Sequence, residues 1–526
     1  MKTPALLFAL SALSLFAASN HRVAAADNWP QWRGPDASGA SASAKPVIEW
    51  GEGKNVLWKI ETPGSGNGTP VVWDGKIYFV TAINTGKKPE TDAAAEGGDK
   101  KEAAARTLPP GVEFVQDPAP EPEPEPRPGG DRRRRGFGGF GDGPLPDFAK
   151  RFDKDEDGKL NDEEREAMRA SFRGRGGRGG GGRGGFGSQK PTEIHQFVLV
   201  CLDASTGKEI WRKVAREELP HEGHHRDHGF ASASPVTDGK HMVVSFGSRG
   251  IYGFDMKGNK LWEKDLGDMR TRAGFGEGAS PALYKGVAVV QWDHEGDSFI
   301  VALNAESGDE LWRKARPSGT SWSTPLVVEV DGKPQVITSS QASVKAYGLK
   351  TGDTIWETDG LTANVIPSPV SDGELVFAMS GFRGSKLRAI KLGGTGKLTE
   401  GKGVVWTADE GTPYVPSPLL YDGRLYFFQG NTSALSCLDA KTGKIHYSRE
   451  RAEGLRGVYA SPLGAAGHVY LLDREGNCVV IKAGDTLEVV ASNKLDDAFD
   501  ASPVLIGDNL LLRGKKHLYC IGATKG

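Results

Sequence analysis

Cysteine is scarce in this 526-residue chain, which has four, the first at Cys201. A small fold stapled by disulfides is thereby excluded, and with no cysteine near the N-terminus a lipid anchor at that end is not expected. An excess of one charge is lacking as well. Sixty-six basic residues against 68 acidic ones leave a formal net charge of -2, so no global field draws the chain onto nucleic acid or an anionic membrane. Long apolar runs are missing beyond the first residues. The stretch 5–18 is shorter than the roughly 20 residues that a bilayer-spanning helix requires. It follows Lys2 and precedes the small residues Ala24 and Ala26, so residues 1–26 read as an export signal and the mature protein is expected to begin at Asp27. The location this implies is the periplasm or the cell exterior, with no membrane span.

What the chain has is repetition. A Ser-Pro or Thr-Pro step ends at Pro70, Pro235, Pro281, Pro325, Pro369, Pro418, Pro462 and Pro503, and from Pro235 onward the steps are 46, 44, 44, 49, 44 and 41 residues. That is the length of a four-stranded propeller blade. Each proline opens an apolar strand, and turns such as Asp74-Gly75, Asp238-Gly239, Asp372-Gly373 and Asp422-Gly423 reverse it. Asp-Gly between apolar runs is a strong hairpin signal. A polar turn and a fourth strand ending in an aromatic ring follow, as in Leu202-Asp203-Ala204-Ser205-Thr206-Gly207-Lys208-Glu209-Ile210-Trp211. The rings are expected to pack between adjacent blades. Cys201, Cys437 and Cys520 hold one place in three repeats, too far apart to bridge, and read as buried small hydrophobes.

The Asp-Ala-x-Thr-Gly-x-x-x-Trp pattern of Asp203 to Trp211 resembles the repeat of PQQ-like β-propellers, a family that includes quinoprotein dehydrogenases and an outer-membrane assembly lipoprotein. The resemblance covers nearly all of the mature chain outside one insertion. It implies an all-β, eight-bladed propeller, and it is specific for fold rather than activity. The last unit ends without an outer strand, while residues 55–60, around Trp58, form such a strand without preceding partners. Together they would close the ring and remove its exposed edges. The dehydrogenases of this family imply a calcium-bound quinone, an aspartate base and two adjacent cysteines. This chain has no adjacent cysteines and no Cys-x-x-Cys-His haem site. PQQ is therefore not the expected cofactor, and a non-catalytic binding or scaffold propeller is expected ahead of a PQQ-dependent dehydrogenase.

The organisation that follows is a signal over 1–26, the closing strand and start of the first blade over 27–83, an insertion over 84–194, and the rest of the propeller over 195–526. The insertion turns to Pro-Glu alternation, a basic run at 132–135 and Gly-Arg repeats, a composition that cannot bury a large core. A flexible linker is the expected role of the Gly-Arg stretch, with weak binding to acidic polysaccharide or cell surface as the alternative. Within it, Asp153, Asp155 and Asp157 place carboxylates at positions one, three and five of a loop. Gly158 allows the sharp turn, Lys159 offers its carbonyl, and Glu164 closes the site. This register is that of a calcium-binding EF-hand, with flanking helices expected within 146–172. The loop is single, so a structural or modest-affinity site is expected rather than a sensor.

Two constellations outside the insertion invite chemistry. His221-Glu222-Gly223-His224-His225 matches the zinc-protease spacing, but Pro220 and Gly223 argue for a loop between blades rather than the helix that the ligands require. The second is the mouth of the channel, which the residues three places before the prolines should ring: Asn67, Ser232, Gly278, Trp322, Ile366, Val415, Tyr459 and Asp500. Glu277 stands beside Gly278, and the loops between second and third strands should bring Arg249, Asp293, His294, Glu295 and Arg383 to the same opening. The insertion leaves from the same kind of loop in the first blade and should lie beside that opening. The expected ligand is an unspecified protein, polysaccharide or small molecule, without nucleic acid, on a monomeric chain.

Overall fold

The computed structural model describes residues 28–89 and 190–524. Among them, eight antiparallel sheets follow one another as the blades of a propeller. The first blade runs outward through Val71–Trp73, Lys76–Asn84, His195–Asp203 and Glu209–Glu218. The insertion thus leaves from the hairpin between its second and third strands, where Thr85 N–H donates to the Ile194 carbonyl at 3.0 Å. The EF-hand, the export signal and the Gly-Arg stretch lie outside the described residues. No helix among the described residues is long and apolar enough to cross a membrane.

The eighth blade is completed as the sequence predicts. Its outermost strand is Val56–Glu61, antiparallel to His517–Ile521, with Trp58 opposite Cys520. This strand covers the outer edge that His517–Ile521 would otherwise leave unpaired and ties the last blade to the segment preceding the first. All four cysteines are buried and free.

The repeated tryptophans explain the repeated glycines. Most of these rings lie on the Thr-Gly or equivalent turn of the next blade, so that a Cβ on Gly207 would meet Trp58 at 2.8 Å, one on Gly308 would meet Trp262 at 2.7 Å, and one on Gly352 would meet Trp312 at 2.6 Å, while Trp356 meets no such glycine and its N–H has no partner. The indole N–H groups reach the same turns, from Trp262 to the Ala305 carbonyl at 2.9 Å and from Trp312 to the Leu349 carbonyl at 2.8 Å. One residue before these rings, the strand register slips. The apolar residue at the slip, Leu57, Ile210, Leu261 or Leu311, is left exposed on the rim. A bulge re-aims one side chain at the cost of local pairing, and here it turns the aromatic inward.

At the inner edge, the serine or threonine before each proline forms a closed ring of eight hydrogen bonds. Thr69 N–H donates to Ser234 Oγ at 2.9 Å, Ser234 to Ser280 at 2.8 Å, Ser280 to Thr324 at 3.3 Å and Thr324 to Ser368 at 2.9 Å. Ser368 donates to Ser417 at 2.8 Å, Ser417 to Ser461 at 2.9 Å, Ser461 to Ser502 at 3.0 Å, and Ser502 returns to Thr69 Oγ1 at 3.1 Å. A following proline holds each of these residues extended, which keeps its N–H free of its own sheet and aimed at the next blade.

The N-terminal segment does more than supply the closing strand. Residues 28–41 run along the innermost strands of several blades. Trp29 N–H bonds the Val72 carbonyl at 2.8 Å, the Pro30 carbonyl accepts from Thr237 at 2.9 Å, and Ala40–Ser41 pairs in parallel with Leu463–Ala465. Arg33 anchors the crossing by donating to the carbonyls of Pro462 at 2.9 Å and Pro418 at 2.8 Å. The sequence analysis gave residues 27–83 only the closing strand and the start of the first blade, whereas residues 28–41 also bind the innermost strands of several blades.

Removing one hydroxyl from the ring tests its weight. Ser368→Ala leaves the buried Thr324 N–H without an acceptor and should lower stability by about 1–3 kcal/mol, measured as a shift of the urea midpoint. An unchanged midpoint would show that the ring reports the fold without supporting it.

Candidate functional site

A cavity of about 890 Å³ stands on the axis at the inner ring of blades. All eight residues three places before the prolines line it, from Asn67 round to Asp500, and Trp32 of the N-terminal segment lines it as well. Their convergence follows from the ring of hydroxyls, because every chain entering an innermost strand must pass the axis just before its proline. Trp322, Arg383, Tyr459 and Asp500 are therefore where the sequence analysis expected them.

Five other expected mouth residues are elsewhere. Glu277 turns away from the axis into a crevice between the second and third blades, where Ser248 donates its N–H at 2.7 Å and its hydroxyl to the carboxylate. Gly247 makes that turn possible, since a Cβ there would collide with the carboxylate. Desolvation in the crevice pushes the Glu277 carboxyl up to about 7, against the pull of the Ser248 hydrogen bonds. Asp293 is withdrawn further. Its side chain is 0% exposed and paired with Arg316 at 2.7 Å, and Gln291 donates to it at 2.7 Å. His294 is buried, its Nδ1 accepting from Arg270 N–H at 3.1 Å. Glu295 caps Thr320, accepting its N–H at 3.1 Å and its hydroxyl at 2.8 Å. These three are consecutive in a loop, and each found a partner in the adjoining chain before reaching the axis. Arg249 likewise ties back, to the Leu219 carbonyl at 2.7 Å.

The histidine-rich loop is irregular, as expected, and its histidines diverge. His221 faces Asp268 at 3.2 Å, Glu222 accepts from Thr271, and His224 Nδ1 bonds the His225 carbonyl at 2.8 Å. Among the described residues no group of three His, Cys, Asp or Glu side chains could hold a metal ion. The loop instead reaches the cavity. His225, Asp227 and His228 line it, and burial, aided by the neighbouring imidazoles, pushes His228 down to about 4, so it is neutral at physiological pH.

Asp227 and Asp500 are the carboxylates of the cavity wall, and one guanidinium binds both. Arg474 donates Nε to Asp500 at 2.6 Å and lies 3.0 Å from Asp227 through Nη2, with its plane 4.0 Å above the Tyr459 ring. Lys515 adds a second cation to Asp500 at 3.2 Å. Burial raises the Asp227 carboxyl, but the hydrogen bond and charge of Arg474 outweigh it and hold the group below its ordinary value. Across the cavity stand Arg272, Asn364, Phe382, Arg383 and Tyr414. Of these the sequence reading named only Arg383. Arg474 occupies the equivalent second-to-third-strand loop of the seventh blade, a position that could have been searched by the same rule. Trp32 lay in a visible signal, Trp29-Pro30-Gln31-Trp32-Arg33-Gly34-Pro35, too rich in rings for a linker.

The comparisons agree with this architecture. Residues 196–392 match the PQQ_2 family model, described as outer membrane protein assembly factor BamB. Outer membrane protein assembly factor BamB of Francisella tularensis subsp. tularensis is 29% identical over 154 residues, which cover 25% of this chain and 32% of that protein. The chain thus spans about a third of that relative's length. Among solved structures, quinohemoprotein alcohol dehydrogenase from Comamonas testosteroni superposes with a TM-score of 0.51 at 12% identity, covering 95% of this chain and 81% of the dehydrogenase. BamB from Moraxella catarrhalis gives a TM-score of 0.34 at 15% identity, over 56% of this chain and 95% of the other. The first of these structures supports the propeller fold, and the repeat is of the PQQ-like kind.

The Glu277 crevice gives a pH test. A carboxyl raised from 4.5 to about 7 on folding keeps a proton that the unfolded chain has released, so stability falls as pH rises from 4.5 to 7 and is level above. Glu277→Gln should lack this contribution. Its melting temperature should match the parent near pH 4 and exceed it at pH 8, by on the order of 4 °C. Parallel melting curves across the range would mean that the carboxyl is not desolvated.

Proposed function

We propose that this chain, a propeller of PQQ-like repeats, is an exported monomeric binding protein that takes a ligand in its central cavity without transforming it. The observation that carries the reading is the double pairing of Arg474. A general base must be free to accept a proton from the substrate, whereas Asp500 has Arg474 at 2.6 Å and Lys515 at 3.2 Å, and its side chain is 4% exposed. Asp227 is held by the same guanidinium. The cavity has the size of small-molecule sites, and aromatic rings such as Trp32, Trp322, Phe382 and Tyr414 share its lining with many polar side chains.

The alternative is a quinone-dependent oxidoreductase. A metal-bound quinone asks for several oxygen donors beside one another, and the cavity wall offers two carboxylates, both already neutralised. Adjacent cysteines are missing from the sequence. The two paired carboxylates do not fit the metal that such a cofactor requires.

Calcium enters the same proposal through the insertion. Asp153, Asp155, Asp157, the Lys159 carbonyl and Glu164 would hold one ion, at the roughly 10⁻⁴–10⁻³ M affinity of extracellular modules. The insertion's composition makes the propeller independent of that ion.

Two measurements test these readings. Protein incubated with quinone and calcium should oxidise no alcohol or sugar in a dye-linked assay above the background of the untreated chain, and turnover that disappears in Asp500→Asn would establish the dehydrogenase instead. Calorimetry should find one calcium site, lost in an Asp153→Ala, Glu164→Ala variant whose melting temperature moves by no more than about 2 °C. A larger loss of propeller stability would couple the two.

A further inference from the structure

The wall of the cavity is electrically lopsided. On one side the acids are matched, Asp227 and Asp500 by Arg474 and Lys515. On the other side two arginines flank an aromatic panel. Arg272 donates Nη1 to Asn364 Oδ1 at 3.1 Å, Asn364 reaches the Tyr414 hydroxyl at 3.4 Å, and the Tyr414 and Phe382 rings stack with centroids 4.7 Å apart. Arg383 sits over the outer face of this pair, 5.4 Å from the Phe382 centroid. The acid nearest Arg272 is Glu295 at 3.6 Å, already engaged by Thr320. Arg383 has no carboxylate within salt-bridge distance among the described residues.

Two more cations lie against the inner ring without counter-ions. Arg33 and Arg513 are each 3% exposed. Arg33 donates to the carbonyls of Pro418 and Pro462, next to the ring residues Ser417 and Ser461, and Arg513 donates to the Gly68 carbonyl at 2.5 Å, next to Thr69. In each, Nε–H finds no acceptor. Burial pushes both down to about 9, so both remain charged at neutral pH. Besides these carbonyls each guanidinium lies over an aromatic ring, Arg513 4.7 Å from the Phe79 centroid and Arg33 5.7 Å from that of Trp32, and neither lines the cavity itself.

The backbone marks the same panel. Ala273, Asn364 and Arg383 have φ of 54°, 52° and 54°, and all three line the cavity, Arg383 from the loop between the second and third strands of its blade. Left-handed non-glycine residues cost energy and persist where the surroundings hold a side chain in a required place.

We propose that the central cavity takes a ring-shaped carboxylate, its ring against the Phe382–Tyr414 panel and its carboxylate paired by Arg383 and Arg272. This rests on the binding reading of the cavity and adds the charge and shape of the ligand. Acidic sugars and aromatic acids share that chemistry, since the positive edge or C–H face of either suits the negative face of an aromatic ring.

The test is calorimetry on the full chain with glucuronate and with naphthoate, each against its neutral counterpart, glucose or naphthalenemethanol. At least one acid should bind about ten-fold or more tightly than its counterpart, with affinity falling as salt rises. Glucuronate alone would identify the acidic-sugar class, and naphthoate alone the aromatic acids. Arg383→Gln and Arg272→Gln should each weaken binding about ten-fold, Arg383→Lys should restore part of the loss, and melting curves should show all three folded. Neutral compounds binding as tightly as the acids, or acids binding unchanged to both glutamine variants, would overturn the charge assignment while leaving a binding cavity in place. Neither acid binding at millimolar concentration would also overturn it. Quinone-dependent turnover, by contrast, would remove the binding reading beneath it.

Discussion

Eight hydrogen bonds that close on themselves hold the centre of this molecule. Each runs from the amide of a serine or threonine to the hydroxyl of its counterpart one blade on, and the last returns to the first. A closed cycle of identical contacts admits one number of blades and one spacing between them. The proline after each hydroxyl matters as much as the hydroxyl, because it keeps the preceding residue extended and its amide outside the sheet. Everything placed just before those prolines is thereby delivered to the axis.

The outer belt repeats the device with different chemistry. A tryptophan ring rests on a glycine of the next blade and its N–H reaches that blade's turn, so inter-blade contact is both apolar and directional. Between the two belts lie strands that are apolar on both faces, buried by the neighbouring blades. The N-terminal segment then serves twice, first inside the channel and then as the outer strand at Val56–Glu61. Placing Arg33 in the channel means burying a guanidinium among carbonyl groups, a cost of several kcal/mol unless dipoles or a ligand offset it. Its hydrogen bonds to the Pro418 and Pro462 carbonyls tie the N-terminal segment to the sixth and seventh blades.

Charge pairing sorts the candidates for chemistry from those for recognition. The carboxylates with access to the axis are neutralised, whereas the arginines Arg272 and Arg383 face it with little or no compensation. The carboxyl with the most perturbed environment near the mouth, Glu277, lies in a crevice and bonds Ser248. The same logic accounts for the loop of Asp293, His294 and Glu295. Three polar residues in a row near an opening look like a site, but Arg316, Arg270 and Thr320 approach from neighbouring loops and take them up.

Repetition made the architecture legible from the chain alone. The Ser-Pro steps, the Asp-Gly turns and the Thr-Gly…Trp segments recur at blade length, and the unfinished last unit called for the strand around Trp58. Because the ring is symmetric, the residues three before each proline could be assigned to the cavity by counting. Loop side chains could not. Whether Arg383 faces the axis or Asp293 turns inward depends on which partners arrive from chain 20 to 250 residues away, as Arg474 does for Asp227. No period in the sequence encodes such an encounter. The path of Trp32 and Arg33 was hidden for the same reason, since a segment that pairs with several blades at once matches the repeat of none. Local pattern therefore determined the blades and where their ends converge, while tertiary packing decided which charges were paired and which were not, because pairing between distant loops is a property of the closed ring.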